Sequence, residues 1–122
     1  DVKNARVAML GAAYKPNVTD ARESPTTDLA SRLADRGLTV AVADPHVTSF
    51  APQIVSLEDA LRGADIAILV VGHSEYARLE PDHVARLMRS HLILDTTNTL
   101  NREAWERSGF TFIRYGDGRS TG

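Results

Sequence analysis

Two cationic side chains, Lys15 and Arg22, lie in one long segment between a strand-like run and a helix-like run. The apolar run 5–10 precedes the segment, and a helical pattern follows it from Pro25 to Arg36. In an open α/β sheet, ligands bind at the turn that follows the carboxyl end of a strand. This turn has about fifteen residues, where roughly two to six are usual. The sequence therefore predicts an anionic ligand here, with phosphate as the first candidate, because lysine and arginine both pair with phosphate oxygens.

The neighbours of the two cations support this interpretation. Asp20 and Glu23 can orient the cations, and the amino end of the helix at Ser24 adds a partial positive charge. Tyr14 has two interpretations, because its ring can stack on a base or sugar or can belong to the core. For the two cations the alternative is that they are ordinary solvated loop charges.

The elements that position this segment are predicted from glycines and apolar runs. Gly37, Gly63 and Gly109 each follow a helical pattern and precede a strand-like run, and glycine adopts the left-handed cap conformation without a Cβ penalty. The runs 66–71 and 92–94 are continuously apolar, which is typical of parallel strands covered on both faces. We therefore predict an α/β fold: a Rossmann-like, doubly wound parallel sheet of about six strands in the order 3-2-1-4-5-6, with helices on both faces.

The remaining elements are short. Residues 53–55 are predicted to form a brief strand, and a helix is expected to begin at the capping pattern of Ser56. Another helix begins at Pro81, and a last one covers 101–108 with Trp105 facing the core.

Composition limits the class of protein. The 122 residues fit one domain, which we expect over 1–116, followed by a flexible polar tail at 117–122. A net charge of −2 argues against nucleic acid as a partner, and no apolar run predicts a membrane span or a signal peptide. The chain has no cysteine, which excludes disulfides and a thiol nucleophile within it and fits a cytoplasmic protein. The chain does not begin with Met, which fits a piece of a longer protein.

The doubly wound pattern suggests a dinucleotide site, but its fingerprint is absent. The residues after the first strand are Gly-Ala-Ala-Tyr-Lys-Pro, from Gly11 to Pro16, and not G-x-G-x-x-G. Asp44 ends the second strand, where an acid that binds ribose would stand. We interpret it instead as a turn residue before Pro45. The sequence does not predict a self-sufficient NAD domain.

The four histidines show no spacing typical of a metal site. Only His73 follows a strand near the predicted cleft, and we interpret it as a plain loop histidine. We predict no metal site and no catalytic residue within the chain.

The segment around the two cations also resembles a known family signature. Its matching positions are Gly11-x-x-Tyr14-Lys15-Pro16-Asn17-x-x-Asp20-x-Arg22-Glu23-Ser24-Pro25. This pattern closely resembles the carboxyl-terminal, UDP-binding domain of the UDP-glucose/GDP-mannose dehydrogenase family. Further matches follow in order at 44–45, 72–76 and 95–98. The His-Ser-Glu-Tyr sequence within 72–76 is more similar to the branch that oxidises UDP-N-acetyl-hexosamines than to the UDP-glucose branch.

The resemblance implies a function for the parent enzyme. Such enzymes oxidise the C6 alcohol of a UDP-sugar to a carboxylate with NAD, and a cysteine elsewhere in the enzyme carries the covalent intermediates. The expected partners are the UDP-sugar, the amino-terminal NAD-binding and central domains of the same enzyme, and further copies of it in a homo-oligomer. The isolated chain is expected to be inactive, because it has no cysteine.

The resemblance also implies roles for individual residues. Tyr14, Lys15 and Asn98 would contact the nucleotide sugar, and Arg22 would reach the phosphates of NAD. For Asn98 the alternative is an ordinary polar residue in the loop before the next helix. The chain departs from the pattern at Thr97, where many members have an arginine. The missing charge is expected to change UDP affinity or substrate choice.

A different class of function remains open at this point. The same doubly wound fold also serves free-standing nucleotide-binding or regulatory modules that carry out no reaction themselves. The length of the parent gene separates the two hypotheses, because a dehydrogenase needs further domains.

Overall fold

The computed structural model describes residues 5–12, 25–45 and 54–114. Within these ranges the chain forms one sheet of five parallel strands in the order β2-β1-β3-β4-β5. The strands are β1 (Arg6–Leu10), β2 (Thr39–Ala43), β3 (Ile66–Leu69), β4 (Leu92–Asp95) and β5 (Thr111–Arg114).

The predicted strand order is confirmed, and the described part of one strand forms a single bridge. Val42 of β2 pairs with Met9 of β1 on one side and forms a parallel bridge with Ile54 on the other. The bridge stands where the strand 53–55 was predicted, beyond β2. Counting it as the third strand gives the order 3-2-1-4-5-6, so the doubly wound prediction holds with five full strands.

Four α-helices and one 3₁₀ helix connect the strands of the described ranges. They are α1 (Pro25–Asp35), α2 (Leu57–Leu61), the 3₁₀ helix Ser74–Arg78, α3 (Pro81–Leu87) and α4 (Arg102–Arg107). Two of their amino ends are capped by side chains: Ser56 accepts the N–H of Asp59 at 3.0 Å, and Asn101 accepts the N–H of Ala104 at 3.1 Å. Each cap satisfies a backbone donor that the first helical turn leaves unpaired. The cap predicted for α1, Ser24, lies outside the described residues.

The core forms on both faces of the sheet, as the continuous apolar runs predicted. Along β1, alternate side chains enter different clusters: Val7 and Met9 pack with Ala30 of α1, while Ala8 and Leu10 join the opposite cluster. That larger cluster contains the buried side chains of α2, α3 and α4, among them Trp105.

The helices therefore change sides where the chain passes from β2 to β3, across β1. This is the topological switch point of a doubly wound sheet, and it places a crevice at the carboxyl ends of the central strands. No helix in the described part of the chain has the length and apolar character needed to cross a membrane. The predicted tail at 117–122 lies outside the described residues.

Candidate functional site

The candidate site is the sheet edge at which β1 to β4 end. The segment 13–24 leaves β1 at this edge and lies outside the described residues, and so do the predicted contacts Tyr14, Lys15 and Arg22. Their roles stay predictions. Asn98 and the residues that border the segment are described.

A buried hydrogen bond between a histidine and a carboxylate lies at the end of β1. His73 and Asp44 have fully buried side chains, and His73 Nε2 stands 2.7 Å from Asp44 Oδ2. The same carboxylate oxygen accepts the backbone N–H of Ala12 at 2.6 Å. One oxygen thus connects the ends of β1 and β2 with the loop after β3.

Tyr76 closes the same cluster from the 3₁₀ helix. Its ring centroid lies 5.7 Å from that of His73, and its hydroxyl donates to the carbonyl of Ala43 at 3.2 Å. Burial, together with the nearby carboxylates of Asp44 and Glu75, raises the pKa of the Tyr76 phenol far above its ordinary value. The phenol therefore stays neutral and acts as a hydrogen-bond donor.

These contacts correct two interpretations made from the sequence. His73 is not a plain loop histidine, because it is completely buried against a carboxylate. Asp44 does precede a bend at Pro45, but its carboxylate is engaged by Ala12 and His73 inside the protein. The sequence did contain a signal for this contact. Asp44 and His73 each follow a strand of one parallel sheet, and the carboxyl ends of such strands lie at the same edge.

The hydrogen bonds of the Asp44 carboxylate also affect whether these strand ends could bind NAD. An adenosine ribose site needs the acid at the end of β2 to face the ribose hydroxyls. Asp44 holds protein donors instead, and the glycine fingerprint is absent after β1. The described residues at the ends of β1 and β2 therefore do not fit a dinucleotide site of the usual kind.

A second buried carboxylate shapes the loop after β4. Asp95 is completely buried, and its Oδ1 accepts the N–H of Thr97 at 2.8 Å and the hydroxyl of Thr97 at 3.0 Å. Its Oδ2 accepts the N–H groups of Thr99 and Leu100, each at 2.9 Å. Arg114 at the end of β5 stands 3.8 Å from the same oxygen. The loop is thus wound around one carboxylate.

Thr97, which stands where many members of the family have an arginine, belongs to this loop. Its hydroxyl lies 2.6 Å from that of Thr99 as well as bonding to Asp95, so the side chain turns toward the strand end. Asn98 follows in the left-handed conformation with φ of 59° and an exposed side chain. Asparagine tolerates this backbone region better than most residues, which favours the turn interpretation, while its exposure leaves substrate contact possible.

Two glycines let the loops of this edge approach one another closely. A Cβ on Gly11, whose φ is 117°, would stand 2.7 Å from the backbone nitrogen of Val71. A Cβ on Gly72 would stand 2.8 Å from the hydroxyl of Thr99. Larger residues at either position would push the neighbouring strand ends apart.

A cavity of about 220 Å³ borders the cluster on the side of β2. Its walls are mostly apolar and include Val55, Leu57 and Leu79, with Asp44 and Glu75 as acidic members. Such walls do not favour a phosphate. The anion-binding groups predicted in the segment 13–24 lie outside the described residues. Within the described ranges, no group of three potential ligands is placed to hold a metal ion.

Comparison with known proteins identifies the family. The model of the UDP-glucose/GDP-mannose dehydrogenase family, UDP binding domain, matches residues 8–102. The chain belongs to this family. The match covers the segment 13–24 together with the buried pair and the Asp95 loop, and it confirms the resemblance found in the sequence.

The relatives are much longer than this chain. A UDP-N-acetyl-D-mannosamine dehydrogenase of Methanocaldococcus jannaschii is 39% identical over 118 residues, which are 94% of this chain and 28% of the relative. The same enzyme of Methanococcus vannielii is 34% identical, over 97% of this chain and 28% of its own length. The chain is the carboxyl-terminal, UDP-binding domain and spans about a quarter of the proteins it matches.

A solved structure shows the same fold. The NDP-N-acetyl-D-galactosaminuronic acid dehydrogenase of Methanosarcina mazei superposes with a TM-score of 0.89 at 28% identity. The superposition covers 94% of this chain and 25% of that structure.

Proposed function

We propose that this chain binds the UDP moiety of a nucleotide sugar within an NAD-dependent nucleotide-sugar 6-dehydrogenase. The family match over residues 8–102 carries the proposal, because it covers β2, β3, β4 and most of β1 together with the loops that follow them. The relatives named UDP-N-acetyl-D-mannosamine dehydrogenase support a UDP-N-acetyl-hexosamine as the substrate.

In this proposal the residues divide between two ligands. Tyr14 and Lys15 contact the nucleotide sugar, and Asn98 adds a contact from the loop after β4. Lysine is suited to phosphate as a mobile point charge, whereas the fork of Arg22 is suited to the phosphate oxygens of NAD. Thr97 contributes no charge, since threonine is neutral, and its hydroxyl is bonded to Asp95 and Thr99.

The reaction itself belongs to the parent enzyme. The sugar C6 alcohol is oxidised to a carboxylate, and NAD is held mainly by a domain outside this chain. The thiol that forms the covalent intermediates also comes from outside, since the chain has no cysteine. The amino-terminal NAD-binding and central domains are the proposed partners, in a homo-oligomer located in the cytoplasm.

The test is a substrate comparison with the full-length enzyme. NADH formation is followed with UDP-N-acetylmannosamine, UDP-N-acetylglucosamine and UDP-glucose. We expect the highest kcat/KM with one of the N-acetylated sugars. Preference for UDP-glucose would contradict the substrate assignment, and failure to oxidise any UDP-sugar or to bind UDP would contradict the function.

A further inference from the structure

The loop after β4, residues 96–100, is held in one shape by a single buried carboxylate. The oxygens of Asp95 accept three backbone N–H groups of this loop, those of Thr97, Thr99 and Leu100. Leu100 is bonded a second time, because its carbonyl accepts a hydrogen bond from Arg114 of β5. A loop fixed by such bonds loses little conformational freedom when it binds a ligand.

Asn98 is the exception at the centre of the loop. Thr97 and Thr99 on either side of it bond to Asp95, and Thr96 donates its hydroxyl to the carbonyl of Leu69 at 2.8 Å. Within the described part of the chain, no residue bonds to the N–H or to the side-chain amide of Asn98, which is exposed. Its polar groups are therefore available to a ligand at the carboxyl edge of the sheet, where ligands of doubly wound sheets bind.

The loop offers hydrogen bonds but no charge. Its sequence is Thr-Thr-Asn-Thr-Leu, so none of its side chains is ionised. Arg114 at the end of β5 stands 3.8 Å from the Asp95 carboxylate and donates to Leu100, so its charge is engaged within the protein. An amide side chain both donates and accepts, which suits hydroxyls, amides and the edge of a pyrimidine base. A neutral polar group of a ligand therefore fits Asn98 better than a phosphate.

We propose that Asn98 hydrogen-bonds a neutral polar group of the nucleotide sugar and that Asp95 is the positioning residue that holds it there. This inference rests on the proposed function, because it specifies which part of that ligand the loop after β4 binds. Asp95 acts through the backbone. It holds the N–H groups of Thr97 and Thr99 on both sides of Asn98, which has the left-handed conformation with φ of 59°.

Three variants of the full-length enzyme test this arrangement. Asn98→Gly removes the amide but keeps the left-handed backbone, which glycine adopts without strain. Asp95→Asn keeps the size of the side chain but turns one acceptor into a donor, which then opposes the N–H groups of the loop. Asp65→Asn is the matched control, because Asp65 also accepts several hydrogen bonds but lies at the opposite edge of the sheet.

The dissociation constants for UDP and for UDP-N-acetylmannosamine are measured without NAD, and the KM values for UDP-sugar and NAD are measured separately. We expect Asn98→Gly to weaken the binding of UDP-N-acetylmannosamine about 3- to 10-fold, the range of one neutral hydrogen bond. An equal loss for UDP assigns the contact to the uridine, and unchanged UDP binding assigns it to the sugar. Asp95→Asn should cause a loss of similar size and raise the KM for UDP-sugar more than the KM for NAD. Asp65→Asn should change neither KM.

A double variant tests whether Asp95 acts through Asn98. Adding Asp95→Asn to Asn98→Gly should cost little further affinity, because the group that Asp95 holds is already absent. If Asp95→Asn does not fold, Gly72→Ala takes its place. Its Cβ would stand 2.8 Å from the hydroxyl oxygen of Thr99 and would displace the same loop, and a further Thr99→Ala should restore part of the lost affinity.

Three results would overturn the inference. Unchanged binding of both ligands by Asn98→Gly would rule out the contact, and additive losses in the double variant would rule out the positioning role of Asp95. An equal rise of the KM for UDP-sugar in Asp65→Asn would show that lost stability alone accounts for the effect. If the unaltered enzyme binds neither UDP nor the UDP-sugar, the proposed function fails too, whereas normal binding by the unaltered enzyme confines the failure to this inference.

Discussion

At the scale of residues, buried carboxylates organise the candidate site. Asp44 directly follows β2 and Asp95 is the last residue of β4, and both accept backbone N–H groups at the carboxyl edge of the sheet. A carboxylate bonded to several donors is fixed in place, so it serves as a template for the loop around it.

A third carboxylate, Asp65, lies on the opposite edge, where the strands begin. It accepts from the guanidinium of Arg89, the hydroxyl of Ser90 and the N–H of Arg6. The hydrogen bond from Arg89, followed by the one from Arg6, lowers the pKa of Asp65 far below its ordinary value. A lowered pKa stabilises the fold above the unfolded-state pKa of about 3.9, and the contribution is lost as the pH falls below it.

We therefore expect Asp65→Asn to destabilise the chain near neutral pH. The difference from the unaltered chain should shrink steadily between about pH 5 and about pH 2. Urea unfolding of the 122-residue chain, followed through its single tryptophan, Trp105, measures this directly. Asp35→Asn at the exposed end of α1 is the control, and a difference that grows as the pH falls would contradict the assignment.

At the scale of elements, the stability of a short helix depends on the hydrogen bonds at its ends. Helix α2 has five residues, so few of its backbone groups are paired within the helix. Its amino end is held by the Ser56 hydroxyl, and its Ala60 and Leu61 are buried in the larger core cluster. The cap therefore stabilises the helix that holds these two side chains in the core.

We expect Ser56→Ala to lower the free energy of unfolding by about 1 kcal/mol, because one backbone donor loses its acceptor. Ser56→Asp should lose much less, since its carboxylate can accept the same N–H. Ser31→Ala on the exposed surface of α1 should have little effect. Equal losses for the Ala and Asp variants in urea unfolding would show that the cap is not responsible.

The helix and strand boundaries could be predicted from neighbouring residues in the sequence. Contacts between residues far apart in the sequence could not be predicted from such local patterns. The cap at Ser56, the helix start at Pro81 and the glycine ends depend on neighbours within a few residues, so the sequence predicted them correctly. The pair of Asp44 and His73 joins residues 29 apart, and no local pattern distinguishes it from two loop residues. Its burial follows only from the way parallel strands place their ends together.

The strand predicted at 53–55 is described only in part. Ile54 forms a parallel bridge with Val42 of β2, and residue 53 lies outside the described residues. The predicted contacts Tyr14, Lys15 and Arg22 lie outside the described residues, so their roles rest on the family pattern and await experiment.

At the scale of the whole molecule, we propose that the chain supplies one side of a cleft. It matches about a quarter of each relative, and the other side of the proposed cleft is assigned to further domains of the parent enzyme. Lys15 and Arg22 lie in one segment but are proposed for different ligands. Substitutions in the full-length enzyme can therefore separate the two halves of the cleft.

We expect Lys15→Met to raise the KM for UDP-sugar on the order of 10-fold or more and to leave the KM for NAD nearly unchanged. Arg22→Met should have the opposite pattern. Arg36→Met is the matched control, because Arg36 is exposed just after α1. Initial-rate kinetics with each ligand varied in turn measures both constants, and equal effects of the two substitutions on both ligands would rule out the division.

The bond between Asp44 and Ala12 also has a consequence for protein engineering. A chimaera that transplants the segment 13–24 from one relative to another exchanges the proposed ligand contacts. The residues at positions 12, 44 and 73 remain those of the recipient. Ala12, the last described residue before the segment, is bonded to Asp44, which is bonded to His73. We therefore expect a transplanted segment to support binding better when the donor residues at positions 44 and 73 accompany it.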